Sequence, residues 1–133
     1  MATQFTFGKN EKLKSRKLTE QLFKTGKTFS VFPVKVFYLP VNADHIVKAG
    51  VGTSSRNFKK AADRNRIKRL LREAYRTQKT PLTTFLEEQH KQVALFFLYT
   101  DKTLPEFAML KHRMQQALER LIKQLHEKSA ANT

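Results

Sequence analysis

Residues 59–76 constrain the fold of this chain most, because their apolar and cationic side chains separate onto opposite sides of a helix. At about 100° per residue, one side carries a continuous apolar stripe, made of Ile67, Leu70, Leu71, Ala74 and Tyr75. A helix with such a stripe must bury it against another layer of the domain. The pattern therefore predicts a long helix over residues 59–78 that docks on a sheet.

The side opposite the stripe is cationic. It carries Asn65, Arg69, Arg72 and Arg76, with Arg64 and Lys68 on one flank and Arg66 on the other. Arginine presents a planar fork that pairs with phosphate and stacks on bases, and Asn65 offers a donor and an acceptor to a base edge or a 2′-hydroxyl. A face that only meets water usually intersperses Glu with Lys, but here only Glu73 is placed to pair, with Arg69 or Arg76. The face predicts nucleic-acid binding.

The overall charge points to the same kind of partner. The chain has 26 Lys and Arg against 11 Asp and Glu, a net charge of +15. Ten of the cations but only two acidic residues fall within residues 56–79, a local net charge of +8. Such charge opposes compaction, so a polyanionic partner is its simplest physical reason. A membrane surface is the other polyanionic partner to consider. It fits less well, because a domain of this size buries the apolar side of this helix.

Length predicts one domain over residues 1–133, with residues 128–133 as a frayed tail, and the basic helix makes it an RNA-binding domain. The chain has no Cys, which excludes a disulfide framework, a thiolate zinc site and a thiol nucleophile. No stretch reaches the ~18 apolar residues of a transmembrane helix, and the first residues lack the features of a signal peptide. We therefore expect a soluble, cytoplasmic protein.

Hydrophobic periodicity predicts a sheet with helices, of α/β or α+β class, in the order α-β-β-α-β-α. The first helix spans residues 15–25 and ends at Gly26. A capping box at residues 103–106 opens the last helix, which runs to about Glu127. A connection containing Pro81 follows the basic helix. The predicted strands are residues 34–39, residues 46–53 after a turn around 42–44, and residues 93–99, which are apolar on both faces.

A second surface is predicted on the strand over residues 34–39. Lys35 and Phe37 share one of its faces, and a cation beside an aromatic ring is typical of grooves that hold single-stranded RNA. Phe23 on the first helix is placed to join them. A strand Phe is also a common core residue, so the groove and the core both remain open for Phe37.

No constellation of catalytic or metal-binding residues is present in the pattern. His45, His90, His112 and His126 are scattered without the spacing of a metal site or of a paired general acid and base. Asp63 and Glu73 are better explained as charge partners inside the basic helix than as metal ligands. We therefore predict no catalytic residue, no metal ligand and no cofactor bound by the chain alone.

The basic helix carries a recognisable signature. Residues 61–76, with Arg64-Asn65-Arg66 followed by Lys68-Arg69 and Arg72-Glu73, closely resemble the "RNR" helix of the protein subunit of bacterial ribonuclease P. The resemblance covers residues 7–123, including the first helix and its exit at Gly26, the strand over residues 34–39, and Phe58 before the signature. The run Thr53-Ser54-Ser55-Arg56-Asn57 departs from a family pattern that is usually rich in Lys, and residues 80–92 have no counterpart.

The resemblance implies an α+β fold of two layers in the order α-β-β-β-α-β-α, like the second domain of ribosomal protein S5, with a left-handed β-α-β crossover. It implies a subunit of an endoribonuclease that removes the 5′ leader of precursor tRNA, in which the catalytic RNA with Mg²⁺ performs the chemistry. The expected partners are that RNA and precursor tRNA, with no further protein required. The predicted RNA-binding residues are Arg56, Lys59, Lys60, Arg64, Asn65, Arg66, Lys68, Arg69, Arg72 and Arg76, and the predicted leader-binding cleft is Phe23, Lys35 and Phe37.

Three other functions compete with this one. A self-sufficient ribonuclease would need an acid and base or a carboxylate cluster, and the sequence offers neither. A non-catalytic module of another ribonucleoprotein, such as a ribosomal-type protein or an RNA chaperone, remains the alternative. A DNA-binding regulator fits less well, because a helix-turn-helix needs a short helix just before the recognition helix, whereas a strand and a Ser-rich turn precede this one.

Overall fold

A mixed four-stranded sheet with helices forms the part of the chain that the computed structural model describes, residues 12–13, 15–41 and 47–131. Its elements in chain order are α1 (Arg16–Thr25), β1 (Lys27–Val31), β2 (Val34–Pro40), β3 (Val47–Thr53), α2 (Ala61–Arg76), α3 (Thr80–Glu88), β4 (Val93–Tyr99) and α4 (Phe107–Ala131). The predicted turn around residues 42–44 and the predicted start of the second strand at Ile46 lie outside the described residues.

The strand order in the sheet is β1-β2-β4-β3. β2 pairs antiparallel with both β1 and β4, whereas β3 pairs parallel with β4. A parallel pair of neighbouring strands needs a crossover connection, and here α2 and α3 supply it. The α+β class and the order implied by the resemblance are confirmed, with α3 as an added element; the left-handed sense of the crossover stays a prediction.

One face of the sheet forms the core with α2 and α4. Val34, Val36 and Tyr38 on β2 are buried, while Lys35, Phe37 and Leu39 on the opposite face are only partly buried, as alternation predicts. The stripe of α2 docks on this core. Ile67, Leu71, Ala74 and Tyr75 are buried, and Leu70 is partly buried at the edge. Packing thus buries the apolar side of α2, and the opposite side faces solvent.

The ends of α1 confirm the sequence prediction. The Ser15 hydroxyl oxygen accepts a hydrogen bond from the backbone N–H of Leu18 at 3.2 Å, which caps the first turn. Gly26 ends the helix, and its N–H donates to the Leu22 carbonyl oxygen at 2.9 Å. These two caps fix where α1 begins and ends.

Periodicity missed two elements. β1 escaped because only Phe29 among its residues is buried; it is a strand because it pairs with β2 through a turn at Phe32 and Pro33, whose peptide bond is cis. α3 replaces the predicted connection, with Pro81 in its first turn and Leu82 and Leu86 buried. A Pro in the first turn of a helix costs no backbone hydrogen bond.

Four predicted helix boundaries are wrong, the two ends of α2 and the two ends of α4. α2 begins at Ala61 and ends at Arg76, so Lys59 and Lys60 precede the helix. The predicted capping box is absent, because α4 begins at Phe107 and the Thr103 hydroxyl donates to the carboxylate of Asp101 at 3.3 Å. α4 continues to Ala131, so the predicted tail lies partly in this helix and partly outside the described residues. No helix within the described ranges is long and apolar enough to cross a membrane.

Candidate nucleic-acid interface

The outward side of α2 presents the cationic residues that the sequence places there. Asn65, Arg66, Arg69 and Arg72 are exposed, while Arg64, Lys68 and Arg76 are partly buried. Arg56, Lys59 and Lys60, just before the helix, are exposed as well. The predicted RNA-binding residues are therefore all exposed or partly exposed, and we call these ten side chains the α2 basic face.

Arg64 ties this face to the segment before α2, because its guanidinium is bonded to backbone carbonyl oxygens. Its Nη1 donates to the carbonyl oxygens of Phe58 and Lys59, each at 2.8 Å. These bonds fasten the segment before α2 to the first turn of the helix, where Lys60 stands at the N-cap position without a side-chain capping bond. Arg64 therefore positions Lys59 and Lys60 besides adding charge of its own.

The serines that depart from the Lys-rich family pattern shape the turn before α2. The Ser54 hydroxyl oxygen accepts a hydrogen bond from the backbone N–H of Arg56 at 3.0 Å, and its carbonyl oxygen accepts one from Phe58 N–H at 3.1 Å. Short hydroxyl side chains commonly stabilise turns in this way. Ser54 thus holds Arg56 at the start of the α2 basic face.

One acidic residue pairs on this face. Glu73 and Arg76 form an ion pair at 2.5 Å between Oε1 and Nη2, which settles the choice between Arg69 and Arg76 as its partner. The hydrogen bond from Arg76 holds the pKa of Glu73 below its ordinary value. Because a lowered pKa keeps the carboxylate ionised, the pair persists at neutral pH and offsets one positive charge of the face.

An aromatic cluster lies on the sheet face away from α2 and α4, beside α1. The ring of Phe23 meets that of Phe37 at 4.9 Å and that of Phe96 at 5.0 Å between centroids, both edge to face. The Lys35 ammonium lies 5.2 Å from the centre of the Phe37 ring, within the range of a cation–π contact. Phe23 is 46% exposed, so the cluster is open to solvent. We call Phe23, Lys35, Phe37 and Phe96 the aromatic cleft.

Phe96 is the member of the aromatic cleft that the sequence reasoning missed. The apolar run of β4 was interpreted as covered on both faces, whereas Phe96 and Leu98 are only partly buried. Two glycines make room for its ring on the neighbouring strand. A Cβ atom at Gly52 would lie 2.7 Å from Cζ of Phe96, and one at Gly50 would lie 3.1 Å from its Cδ2. Two glycines at alternate positions of a strand were the signal available, because glycine there often marks a close approach.

The aromatic cleft and the α2 basic face meet at the edge of the sheet. Leu13 extends this edge, since its N–H donates to the Ala49 carbonyl oxygen of β3 at 2.9 Å. Beside it lies an open pocket of about 240 Å³, lined by Lys12, Leu13, Ala49, Gly50, Val51, Arg72 and Phe96. Arg72 of the basic face and Phe96 of the cleft thus border the same space, and a bound chain that touches one is within reach of the other.

The described residues include no group of three or more His, Asp or Glu side chains placed to hold a metal ion. Mg²⁺ is bound in proteins mainly through carboxylate oxygens, and Asp63 and Glu73 do not come together with a third such ligand.

Comparison with known proteins identifies the family. The family model described as Ribonuclease P matches residues 7–126. This chain belongs to the ribonuclease P protein family. It is 35% identical over 126 residues to the ribonuclease P protein component of Porphyromonas gingivalis, covering 91% of each chain. It is 30% identical to that of Chlorobium phaeobacteroides, covering 85% of this chain and 86% of the relative.

The solved ribonuclease P protein of Thermotoga maritima has the same fold. It superposes with a TM-score of 0.67 at 22% identity, covering 83% of this chain and 96% of that one. A likeness at this identity supports the fold alone, and the family membership rests on the sequence matches. As a ribonuclease P protein, the chain is a subunit of an endoribonuclease.

Proposed function

We propose that this protein is the RNA-binding subunit of a ribonuclease P ribonucleoprotein and acts as a single RNA-binding domain. Its α2 basic face binds the catalytic RNA, and its aromatic cleft holds the single-stranded 5′ leader of precursor tRNA. The catalytic RNA, with Mg²⁺, cleaves the leader to leave the mature 5′ end. This cleavage takes place in the cytoplasm, where bacteria make precursor tRNA.

The observation that carries this proposal is the meeting of two chemically different surfaces at Arg72 and Phe96. An arginine-rich helix face suits the phosphates of a folded RNA. An open cluster of phenylalanine rings with a lysine beside it suits unpaired bases, which stack on aromatic side chains. One protein that touches both kinds of RNA structure at adjoining sites is suited to hold a precursor against its catalyst.

The charge of the protein supports a second contribution to the reaction. Two large RNAs repel each other, and a protein of net charge +15 that binds between them lowers the repulsion that divalent ions would otherwise have to screen. We therefore expect the protein to lower the Mg²⁺ concentration at which the catalytic RNA processes its substrate.

The test is processing of a precursor tRNA by the cognate catalytic RNA across a range of Mg²⁺ concentrations, with and without the protein. The expected result is leader removal at lower Mg²⁺ when the protein is present, and no cleavage by the protein alone. Specific leader removal by RNA-free protein would favour a self-sufficient nuclease. Binding to many structured RNAs with no effect on processing would favour the alternative, a non-catalytic module of another ribonucleoprotein.

A further inference from the structure

An exposed aromatic residue lies outside the aromatic cleft, at the turn between β1 and β2. Phe32 is 64% exposed, against 46% for Phe23 and 44% for Leu104, the other large hydrophobic residues exposed in the described part of the chain. A ring in water forgoes the favourable free energy that burial would release. Single exposed hydrophobic residues are common, so the position of Phe32 has to decide whether it binds anything.

The turn that carries Phe32 is held in place by its neighbours. The carbonyl oxygen of Pro33 accepts hydrogen bonds from the backbone N–H of Thr100 at 2.8 Å and from its hydroxyl at 3.0 Å. The Thr100 carbonyl oxygen in turn accepts a bond from the Asn57 side chain at 3.5 Å. Three turns therefore meet at this end of the sheet, and the backbone that presents Phe32 is ordered before any partner arrives. Such preorganisation lowers the entropic cost of binding.

The charges of these three turns select the partner. Arg56 and Lys102 are exposed there, each close in sequence to the residues that join the turns. Asp101 is the acidic residue of the same loop, and its carboxylate accepts hydrogen bonds from Lys102 N–H at 2.7 Å and from the Thr103 hydroxyl at 3.3 Å. An exposed flat ring on turns that also carry exposed cations suits a partner that combines a flat ring with negative charge. Unpaired nucleotides have these properties together.

The position of Phe32 relative to the aromatic cleft indicates which RNA reaches it. Phe96 on β4 lies beside Arg72 of the α2 basic face, Phe37 lies on β2 next to β4, and the turn with Phe32 precedes β2. Because β2 begins at Val34, this turn lies at the end of the strand that is nearer to Lys35 than to Phe37. A leader that crosses the cleft from Phe96 to Phe37 and then follows β2 past Lys35 would reach this turn.

We propose that Phe32 is a further stacking site for the 5′ leader, used by nucleotides farther from the cleavage site than those in the aromatic cleft. This inference rests on the proposed function, because it needs a leader in the cleft. We therefore expect the contribution of Phe32 to binding affinity to depend on leader length, since only leaders that extend beyond Lys35 reach the turn.

The test uses the holoenzyme reconstituted with its catalytic RNA and a series of precursor tRNAs whose leaders lengthen by one nucleotide at a time. Dissociation constants are compared for the natural protein and for Phe32→Ala. We expect equal affinities for short leaders and, beyond a threshold length, an advantage of about 5- to 150-fold for the natural protein, the range given by stacking of one base. Phe32→Tyr should keep this advantage, and Leu104→Ala, which removes another exposed hydrophobic side chain, should keep it too.

Other outcomes would overturn the inference in distinguishable ways. If the natural protein gains affinity from a leader and Phe32→Ala gains equally at every length, the inference fails while the proposed function stands. If the natural protein gains nothing from any leader, the proposed function fails with it. A loss of affinity for the catalytic RNA alone, or of self-association of the protein, would make Phe32 a contact to that partner and overturn the leader assignment. Thermal unfolding of Phe32→Ala confirms that the variant is folded.

Discussion

The ring of Phe96 lies so close to Gly52 that a Cβ atom at position 52 would come within 2.7 Å of its Cζ. The two residues lie on neighbouring parallel strands, and the absence of a side chain at Gly52 leaves room for the Phe96 ring. Phe96 also contacts Phe23, at 5.0 Å between ring centres. Gly52 therefore influences the geometry of the aromatic cleft through the position of the Phe96 ring.

Gly52→Ala should therefore damage the cleft without unfolding the protein. The added methyl meets the far end of a partly exposed ring, which can swing away, so we expect a loss of stability at the low end of the ~1–3 kcal/mol that overpacking costs. Affinity for precursor tRNA should fall about five-fold or more, with mature tRNA unaffected. The control is a double-mutant cycle with Phe96→Ala. If Gly52→Ala weakens binding as much in the Phe96→Ala background, it does not act through the ring.

Phe37→Ala and Lys35→Ala test the cleft from the side of β2. Loss of one stacked base should weaken precursor binding by about 1–3 kcal/mol and leave mature tRNA binding unchanged. Lys35→Ala should reduce the salt dependence of binding, with a change in the logarithmic slope of about 0.7 for one phosphate of a single strand. Melting temperatures are measured alongside. Equal losses for both tRNA forms, together with a lower melting temperature, would make Phe37 a packing residue.

The arginines of the α2 basic face should separate into two kinds. Arg69→Ala and Arg72→Ala remove exposed side chains, so holoenzyme assembly should weaken while thermal unfolding stays nearly unchanged. Arg64→Ala also removes two hydrogen bonds to the backbone, and we expect it to destabilise the fold by about 1–3 kcal/mol. Chemical denaturation of the three variants compares them directly. An Arg69→Ala protein that unfolds as early as Arg64→Ala would contradict this division.

The apolar stripe of α2 offers a matched pair of leucines. Leu71 is fully buried, whereas Leu70 lies at the edge of the core. Leu71→Ala should cost about 2–5 kcal/mol of unfolding free energy, because it leaves a cavity, and Leu70→Ala should cost less. Denaturant titration of the two variants gives the order. A larger loss for Leu70→Ala would mean that α2 is rotated about its axis so that Leu70, and not Leu71, faces the core.

Glu73→Gln should strengthen RNA binding. The substitution removes the carboxylate that pairs with Arg76 and raises the net charge of the face by one. We expect tighter binding to the catalytic RNA and a steeper dependence of affinity on salt, by up to one phosphate contact. Gln keeps the size of the side chain, so the fold should be retained. An unchanged salt slope would show that Arg76 does not reach the RNA even when its acidic partner is gone.

Much of the candidate site could be predicted because it depends on local periodicity. The two sides of α2 follow from a repeat of 3.6 residues, and the two faces of β2 follow from alternation, so the residues of the α2 basic face and Lys35 and Phe37 were all identified in advance. The end of α1 at Gly26 was predictable as well, because a glycine that ends a helix acts within one helical turn. The family resemblance added the third strand before the helix, which no local pattern indicated.

Tertiary structure decided the features that join residues distant in the chain. β1 is a strand because β2 pairs with it, although its own residues are mostly polar, and α3 forms where Leu82 and Leu86 find the core. Phe96 belongs to the aromatic cleft because α1 leaves its face of the sheet open and Gly52 leaves room beneath it. The sequence by itself determined which side chains share a side of each helix or strand, since the helical and strand repeats fix this sorting. Which of these sides meet, and what stays open between them, depends on how the elements pack, and that decided where the cleft lies.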